Sequence, residues 1–451
     1  MRTEVVYSTS NEAQEALHQI SEKLEKLDIK PSFLFLFLTA GTWKAYEDFN
    51  KLLESYYPDA KMLGCIVEGY IAEDEIWTRG VSILLAEFDG EVEVYWANEG
   101  SATETVERLG DEIGEGWDSI LLMFPAFYFP GKLEFIKFFF NDKRYYHSFV
   151  KNKDNSRGVE ALEAYSKYLD NKKMCYPTNE VLKVISKKIG SNTPIIGMNL
   201  LPLEAEFNTP LVLVNYENIE NGIATMCFKG NINAIFHDIF PERGNNQEET
   251  VQIIKDYFPG TEEVSVTKRG TAIGEVNNQK PLDFLKTKKT ILEDVSQDDF
   301  IKKVEEGKQL MATPNILAFI SKITNGVTFL GLINSPLSIY PSAFNFENYS
   351  NRAFFVGEVF RGGIKVFGSA FKFKKYNSFD FFIIDFDTIM SFGGDVHNLI
   401  NLIKSESKSF FGVFSMPPSA FLPNTKKAYM SEIDEGIHIN FTGTTTILEF
   451  K

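Results

Sequence analysis

The sequence predicts an α/β (α+β) fold: two related layered domains with mixed sheets, β-hairpins and covering helices, built from a degenerate internal repeat. Three observations predict it. Short apolar runs of strand length alternate with stretches whose apolar residues recur every three or four positions. Asp-Gly and Asn-Gly pairs separate apolar runs, and such pairs favour two-residue hairpin turns. Glycines recur as well: Gly64 to Gly90 and Gly197 to Gly222 are nearly equal spacings, and Gly331 to Gly362 and Gly412 to Gly443 share a longer one.

Residues 11–28 read as a helix capped by Ser10 or Asn11, with Leu17, Ile20, Leu24 and Leu27 on one face. The apolar run 33–38 follows, continuous enough for burial on both faces of a sheet. Gly41 marks a turn, 46–57 reads as a helix stopped by Pro58, and 62–66 is a short strand broken by Gly64. Residues 68–77 carry Glu68, Glu73, Asp74 and Glu75 and read as a solvated acidic loop. Paired carboxylates can do acid–base or metal work, but no second ligand set accompanies these. Residues 81–88 and 92–96 flank Asp89-Gly90 as a hairpin.

A second pass begins with a strand at 119–124. Residues 125–178 interrupt it as an aromatic and basic insertion, expected to be a helical surface excursion packing its aromatics on the sheet. A helix at 179–189 ends at Gly190, a strand follows Pro194, and 211–215 and 223–228 flank Asn221-Gly222 as a second hairpin. The chain changes character near residue 230, which divides it into domains 1–230 and 231–451. The second half opens with a helix at 248–258, a strand at 269–276 and helices at 281–285 and 296–306. A third pass combines 327–332 with a hairpin around Gly362-Gly363. A fourth combines strands at 379–386 and 410–414, a helix at 397–405, and closing strands at 437–441 and 445–450. Each half is expected to close its own core.

The net charge of −16 repels phosphate backbones and anionic headgroups, so neither nucleic acid nor an anionic membrane is an expected partner. The apolar runs are strand-sized, far short of a membrane span. Three cysteines make no disulfide framework and no metal spacing, which fits a reducing cytoplasm. Forty-one Phe and 18 Tyr point to large aromatic cores. No catalytic motif appears. Cys65 follows a strand glycine without a Cys–His pattern, Gly362-Gly363 and Gly393-Gly394 lack the residues of a phosphate loop, and Asp385 and Asp387 read as solvent-facing.

Gly64-Cys65 followed by Gly69, then Gly80-Val81-Ser82 and the Asp-Gly turn, resembles the amino-terminal half of FIST sensory domains. Residues 194–197 resemble that family's later apolar strand. Gly274-Glu275-Val276 through Asp283, the run 411–415 and the closing 438–448 resemble its carboxy-terminal half. The sequence departs from the pattern at Ile66, Tyr70, Met198 and Pro417-Pro418. The resemblance implies a stand-alone, non-catalytic sensor of a small ligand, an amino acid or similar metabolite, that signals to a separate output protein. Some relatives resemble haem-binding gas sensors, and none of the five histidines (His18, His147, His237, His397, His438) is marked out as an axial ligand. The candidate ligand-binding residues are Gly64, Cys65, Glu68, Gly69, Gly197, Asn199, Gly412 and Ser415, whose post-glycine loops are expected to converge on a pocket. Two other classes stay open: a hydrolase-type enzyme on a layered α/β scaffold, and a scaffold protein with no ligand.

Overall fold

A computed structural model describes residues 1–39, 41–73, 75–126, 132–153, 155–190, 192–200, 210–237, 244–258, 260–288, 315–332, 337–356, 379–385, 400–401, 403–405, 407, 409–415, 419–421 and 445–450. The first segment contains β1 (Arg2–Ser8), α1 (Ala13–Leu24), β2 (Phe33–Leu38), α2 (Tyr46–Tyr56), β3 (Lys61–Ile66), β4 (Gly69–Ala72), β5 (Glu75–Trp77) and β6 (Val81–Glu87). The second contains β7 (Glu91–Ala97), α3 (Ala102–Ile113), β8 (Ser119–Pro125), α4 (Lys132–Lys151), α5 (Ser156–Asn171), α6 (Thr178–Ile189), β9 (Ile195–Leu200), β10 (Val212–Val214), β11 (Glu217–Asn218) and β12 (Ile223–Lys229).

The third opens with β13 (Ile232–His237) and then holds α7 (Gln247–Tyr257), β14 (Glu262–Arg269), β15 (Ala272–Val276), α8 (Pro281–Thr287), β16 (Asn315–Ser321), β17 (Val327–Leu332), β18 (Tyr340–Pro341) and β19 (Tyr349–Val356). It closes with β20 (Phe379–Asp385), β21 (Ser409–Ser415), β22 (Ser419–Phe421) and β23 (Thr445–Phe450). The expected helix 296–306, the hairpin around Gly362-Gly363, the strand 437–441 and Asp387 lie outside the described residues, as do His397 and His438.

Three sheets share one strand order: β1-β6-β2-β3-β10, β7-β12-β8-β9-β22 and β13-β23-β20-β21-β4. In each, the central pair is parallel (β2/β3, β8/β9, β20/β21) and every other neighbour is antiparallel. The last strand of each order comes from another segment. β4 leaves the first segment for the third sheet, β10 leaves the second for the first, and β22 leaves the third for the second. The register matches residue for residue: Leu36, Gly64 and Leu213 stand abreast in one sheet, as do Leu122, Gly197 and Ser419, and Phe382, Gly412 and Ile71.

Mixed sheets and covering helices are therefore present, but several local expectations change. Asp89-Gly90 does not close a hairpin. β6 and β7 belong to different sheets, neither residue takes positive φ, and a Cβ on Gly90 would lie 2.2 Å from the Lys229 carbonyl oxygen. Asn221-Gly222 likewise carries the chain between sheets. Gly69–Ala72, expected within a solvated acidic loop, is instead the buried strand β4, paired with β5, while Glu73 and Glu75 are exposed. The third pass, β17, belongs to a fourth sheet of different order, β17-β16-β19-β14-β15-β18. The α1 N-cap is Glu12, with Ser10 Oγ accepting from the Glu12 amide, rather than Ser10 or Asn11.

One central core is drawn from all three sheets, so the halves do not each close their own. Phe33, Phe35 and Phe37 enter it from β2, Met226 and Phe228 from β12, and Phe381, Val413 and Phe450 from the third sheet. Alternation along β2 sends Leu34, Leu36 and Leu38 the other way, against Ile20 and Leu24 of α1 and Phe49 and Leu53 of α2. On the second sheet, Val106 and Leu109 of α3 and Leu182 and Ile185 of α6 cover Ile120, Leu122 and Phe124. A capping box starts α3: Ser101 Oγ accepts from the Glu104 amide, and Glu104 accepts from the Ser101 amide.

The fourth sheet has its own core, including Val264, Phe319, Phe346, Tyr349 and Phe355. The insertion helices α4 and α5 pack against this sheet, where Phe149 and Leu162 close over Gly274. The Asp142 carboxylate, buried on α4, accepts from the Ser338 and Ile339 amides at 2.8 and 2.9 Å. Among the described residues no helix is long and apolar enough to cross a membrane.

Candidate functional site

The predicted glycines occupy one structural position three times. Gly64, Gly197 and Gly412 lie in the middle of β3, β9 and β21. A Cβ on Gly64 would sit 2.6 Å from the Leu36 carbonyl oxygen, and one on Gly412 would meet Ile71 Cδ1 at 3.0 Å. Close neighbouring strands explain these two glycines without a ligand.

Cys65 points into the central core and is fully buried. Burial, with a smaller contribution from Glu68, pushes its thiol well above the usual range, so it stays protonated. The Glu68 amide donates to the Phe414 carbonyl at 3.0 Å, and Gly69 pairs with Phe414 in the β4–β21 ladder. The fold thus brings Glu68 and Gly69 alongside the β21 segment that ends at Ser415. Asn199 is placed elsewhere. It is buried, and its Nδ2 donates to Thr178 Oγ1 at 3.2 Å, at the start of α6. Among the histidines, His18 and His147 are exposed.

A cleft of about 230 Å³ opens near that end of α6. Its walls are the first turns of α3 (Ala102, Thr103, Val106) and α6 (Pro177, Glu180, Val181, Val184) and the last turns of α5 (Ser166, Lys167, Asp170). Cys175 completes that side, and Thr271 and Asn345 of the fourth-sheet domain close the other. The lining is held in place from both directions. Asp170 Oδ1 accepts from the Thr103 amide at 2.9 Å and from its hydroxyl at 2.8 Å, placing a carboxylate at the positive end of α3. Ser166 Oγ lies 3.0 Å from Thr271 Oγ1 and accepts from the Thr271 amide.

Asn179 clamps the far side: its Nδ2 donates to the Asn345 carbonyl at 2.8 Å and its Oδ1 accepts from the Asn345 amide at 2.9 Å. Cys175 Sγ donates to the Ser342 carbonyl, and burial raises its thiol above the usual range. Lys167 pairs with Glu163 at 3.1 Å on an open helix face, and Glu180 pairs with Lys183 at 3.4 Å, both half-buried. An exposed pair such as Lys167–Glu163 is weak enough to exchange for a ligand's charges. The cleft therefore offers one cation, one anion not committed to capping, an apolar wall of valines, and hydroxyl groups.

None of these lining residues stood out in the sequence. The helix expected at 179–189 is the one nearby element legible in the sequence, and sequence reasoning missed the Ser101–Glu104 capping-box spacing that starts α3. The cleft is assembled from three helices and the connections holding Cys175, Thr271 and Asn345. Among the described residues no group of three or more His, Cys, Asp or Glu is arranged to hold a metal ion.

Comparison with known proteins matches residues 32–241 to the FIST N domain and residues 248–361 to the AF0772-like protein C-terminal domain. The second match falls in the half where FIST carboxy-terminal features were expected. An uncharacterized protein of Archaeoglobus fulgidus is 30% identical over 382 residues, covering 85% of this chain and 99% of the relative. The cleft lies at the seam of the two matched regions, with Thr271 and Asn345 contributed by the second.

Proposed function

This chain belongs to the FIST family, a family of sensory domains, and we propose that it is a non-catalytic sensor of a small amphoteric metabolite, an amino acid or a close analogue. The observation that carries the reading is the seam cleft. Lys167 is placed to meet a carboxylate, Glu180 an ammonium group, and the wall of Val106, Val181 and Val184 an aliphatic side chain. A ligand there touches both matched regions, and its binding energy biases how they are held together through the Asn179–Asn345 clamp. A separate output protein would read that change.

Support for a role without catalysis comes from the cysteines. Cys65, Cys175 and Cys227 are all free and buried, and burial raises each thiol, that of Cys227 to about 12.

The test is a thermal-shift screen of the twenty amino acids and related metabolites on the wild type and on Lys167→Ala and Glu180→Gln. At least one compound should raise the Tm of the wild type, and each substitution should reduce that shift. A shift that survives both substitutions places the ligand elsewhere, and the glycine-loop variant Glu68→Ala then tests the other location. An absorbance scan of the purified protein tests the haem alternative.

A further inference from the structure

The seam cleft uses the aromatic, basic insertion only through α5 and the residues after it, yet α4 carries the two most exposed large apolar side chains among the described residues. Leu133, Ile136 and Phe140 are 77%, 50% and 68% exposed. Their spacing of three and four puts them on one face. The opposite face, with Phe138, Asp142 and Phe149, is buried against α5 and the fourth-sheet domain. Continuing along the exposed face, the next positions are Arg144, His147 and Lys151, all exposed, with no side-chain hydrogen bond or ion pair to any described residue.

The face is therefore apolar over its first two turns and basic over the rest, on a protein whose net charge is −16. From this segregation we infer that the exposed face of α4 is the docking surface for a helix of another protein, with apolar anchors at one end and acidic residues at the other.

Charge and geometry select this occupant. Arg144 and Lys151, two cations on an acidic chain, are complementary to an acidic partner, and they fix the partner's direction once the apolar ends meet. A lipid surface fits less well. A helix lying in a membrane interface buries an apolar stripe along its whole length, with its charges on the other side. Here Arg144 and Lys151 follow Leu133, Ile136 and Phe140 on the same stripe, so laying it flat would drive these two cations into the acyl region. The inference does not depend on the ligand reading.

The test uses three synthetic helical peptides: one with Leu and Phe anchors in its first two turns and Glu residues after them, one with the Glu residues replaced by Lys, and one acidic throughout without anchors. Binding to the full chain is followed by fluorescence anisotropy for the wild type, Phe140→Ser and Arg144→Glu, whose melting temperatures check that the surface changes leave the fold intact. The anchored acidic peptide should bind, more weakly at high salt, and each substitution should weaken it at least tenfold. The other two peptides should not bind.

Binding of the all-acidic peptide as tightly as the anchored one, indifference to both substitutions, or no binding overturns the inference. Sedimentation of the protein with phosphatidylserine vesicles that is lost in Phe140→Ser, without peptide binding, assigns the face to a lipid surface instead. Wild-type dimerisation lost in the same variant assigns it to a second copy. Amino-acid-induced thermal shifts should be the same in Phe140→Ser as in the wild type, so failure here and failure of the sensor reading are separable.

Discussion

Phe33 on β2 meets Phe228 on β12 edge-on, with ring centroids 5.3 Å apart, and Phe450 on β23 completes a triangle with them at 5.8 and 5.7 Å. Each ring comes from a different sheet, so the three sheets are tied at one aromatic point. Phe228→Ala removes a fully buried ring from that point and should cost about 3–5 kcal/mol. Urea unfolding measures it, with Phe140→Ala, an exposed ring, as a control near zero. Equal effects would mean that the triangle does not hold the sheets together.

The matched glycines should respond unequally. An Ala side chain at Gly64 is driven against the Leu36 backbone oxygen, whereas at Gly412 it meets the end of the Ile71 side chain, which can turn away. Gly64→Ala should cost about 1–3 kcal/mol and Gly412→Ala under about 1 kcal/mol. A larger loss at Gly412 would contradict this account.

Asp142 joins α4 to the 338–339 backbone of the fourth-sheet domain. Asp142→Ala leaves the Ser338 and Ile339 amides without their acceptor, at a cost of about 2–4 kcal/mol. Asp142→Asn keeps one acceptor oxygen and should lose less. Hydrogen exchange should report faster opening at those two amides in the alanine variant.

Asp380 stands opposite Glu449 on neighbouring strands, buried, with the Ser407 hydroxyl donating to it. Burial first, with the Glu449 charge adding, raises its carboxyl to about 6, against the partial opposition of Ser407. The native state therefore favours the protonated form. Its contribution to stability is fully present below the unfolded value near pH 4 and is lost as the pH rises through about 6. Asp380→Asn, uncharged throughout, should stabilise the protein at pH 7.5 by about 1–2 kcal/mol after allowance for solvent screening, with much less effect at pH 4. Thermal melts at the two pH values decide it, and an equal effect at both would remove the ionisation argument.

What the sequence revealed depended on whether the cause was local. Phe33–Leu38 could be read because all six residues are apolar, and both its faces are indeed buried. The glycines at 64, 197 and 412 could be picked out by their recurrence after apolar runs, and at Gly64 the Leu36 backbone supplies the steric reason. The segment 68–77 could not be read as strands. Its acidic residues hide an extended stretch, Gly69–Ala72, that pairs locally with β5 but joins a sheet through β21, more than three hundred residues away. Asp89-Gly90 failed for a related reason. A two-residue turn signal states where the chain reverses but not whether the flanking strands pair, and here each pairs in a different sheet. The cleft was hidden because Lys167, Glu180 and Asn345 are unremarkable until three helices and a distant loop bring them together.

The circular exchange of β4, β10 and β22 also orders events during synthesis. When residues 1–97 leave the ribosome, β3 lacks the neighbour that residues 212–214 will supply, and β4 has no sheet to join until residues 409–415 emerge. At about 5–20 residues per second, the earliest-made strand edges wait on the order of tens of seconds for their partners. The nascent chain should therefore depend on chaperones for most of its synthesis, and any truncation before β21 should leave β4 paired with β5 alone, outside the larger sheet, rather than a shorter folded protein.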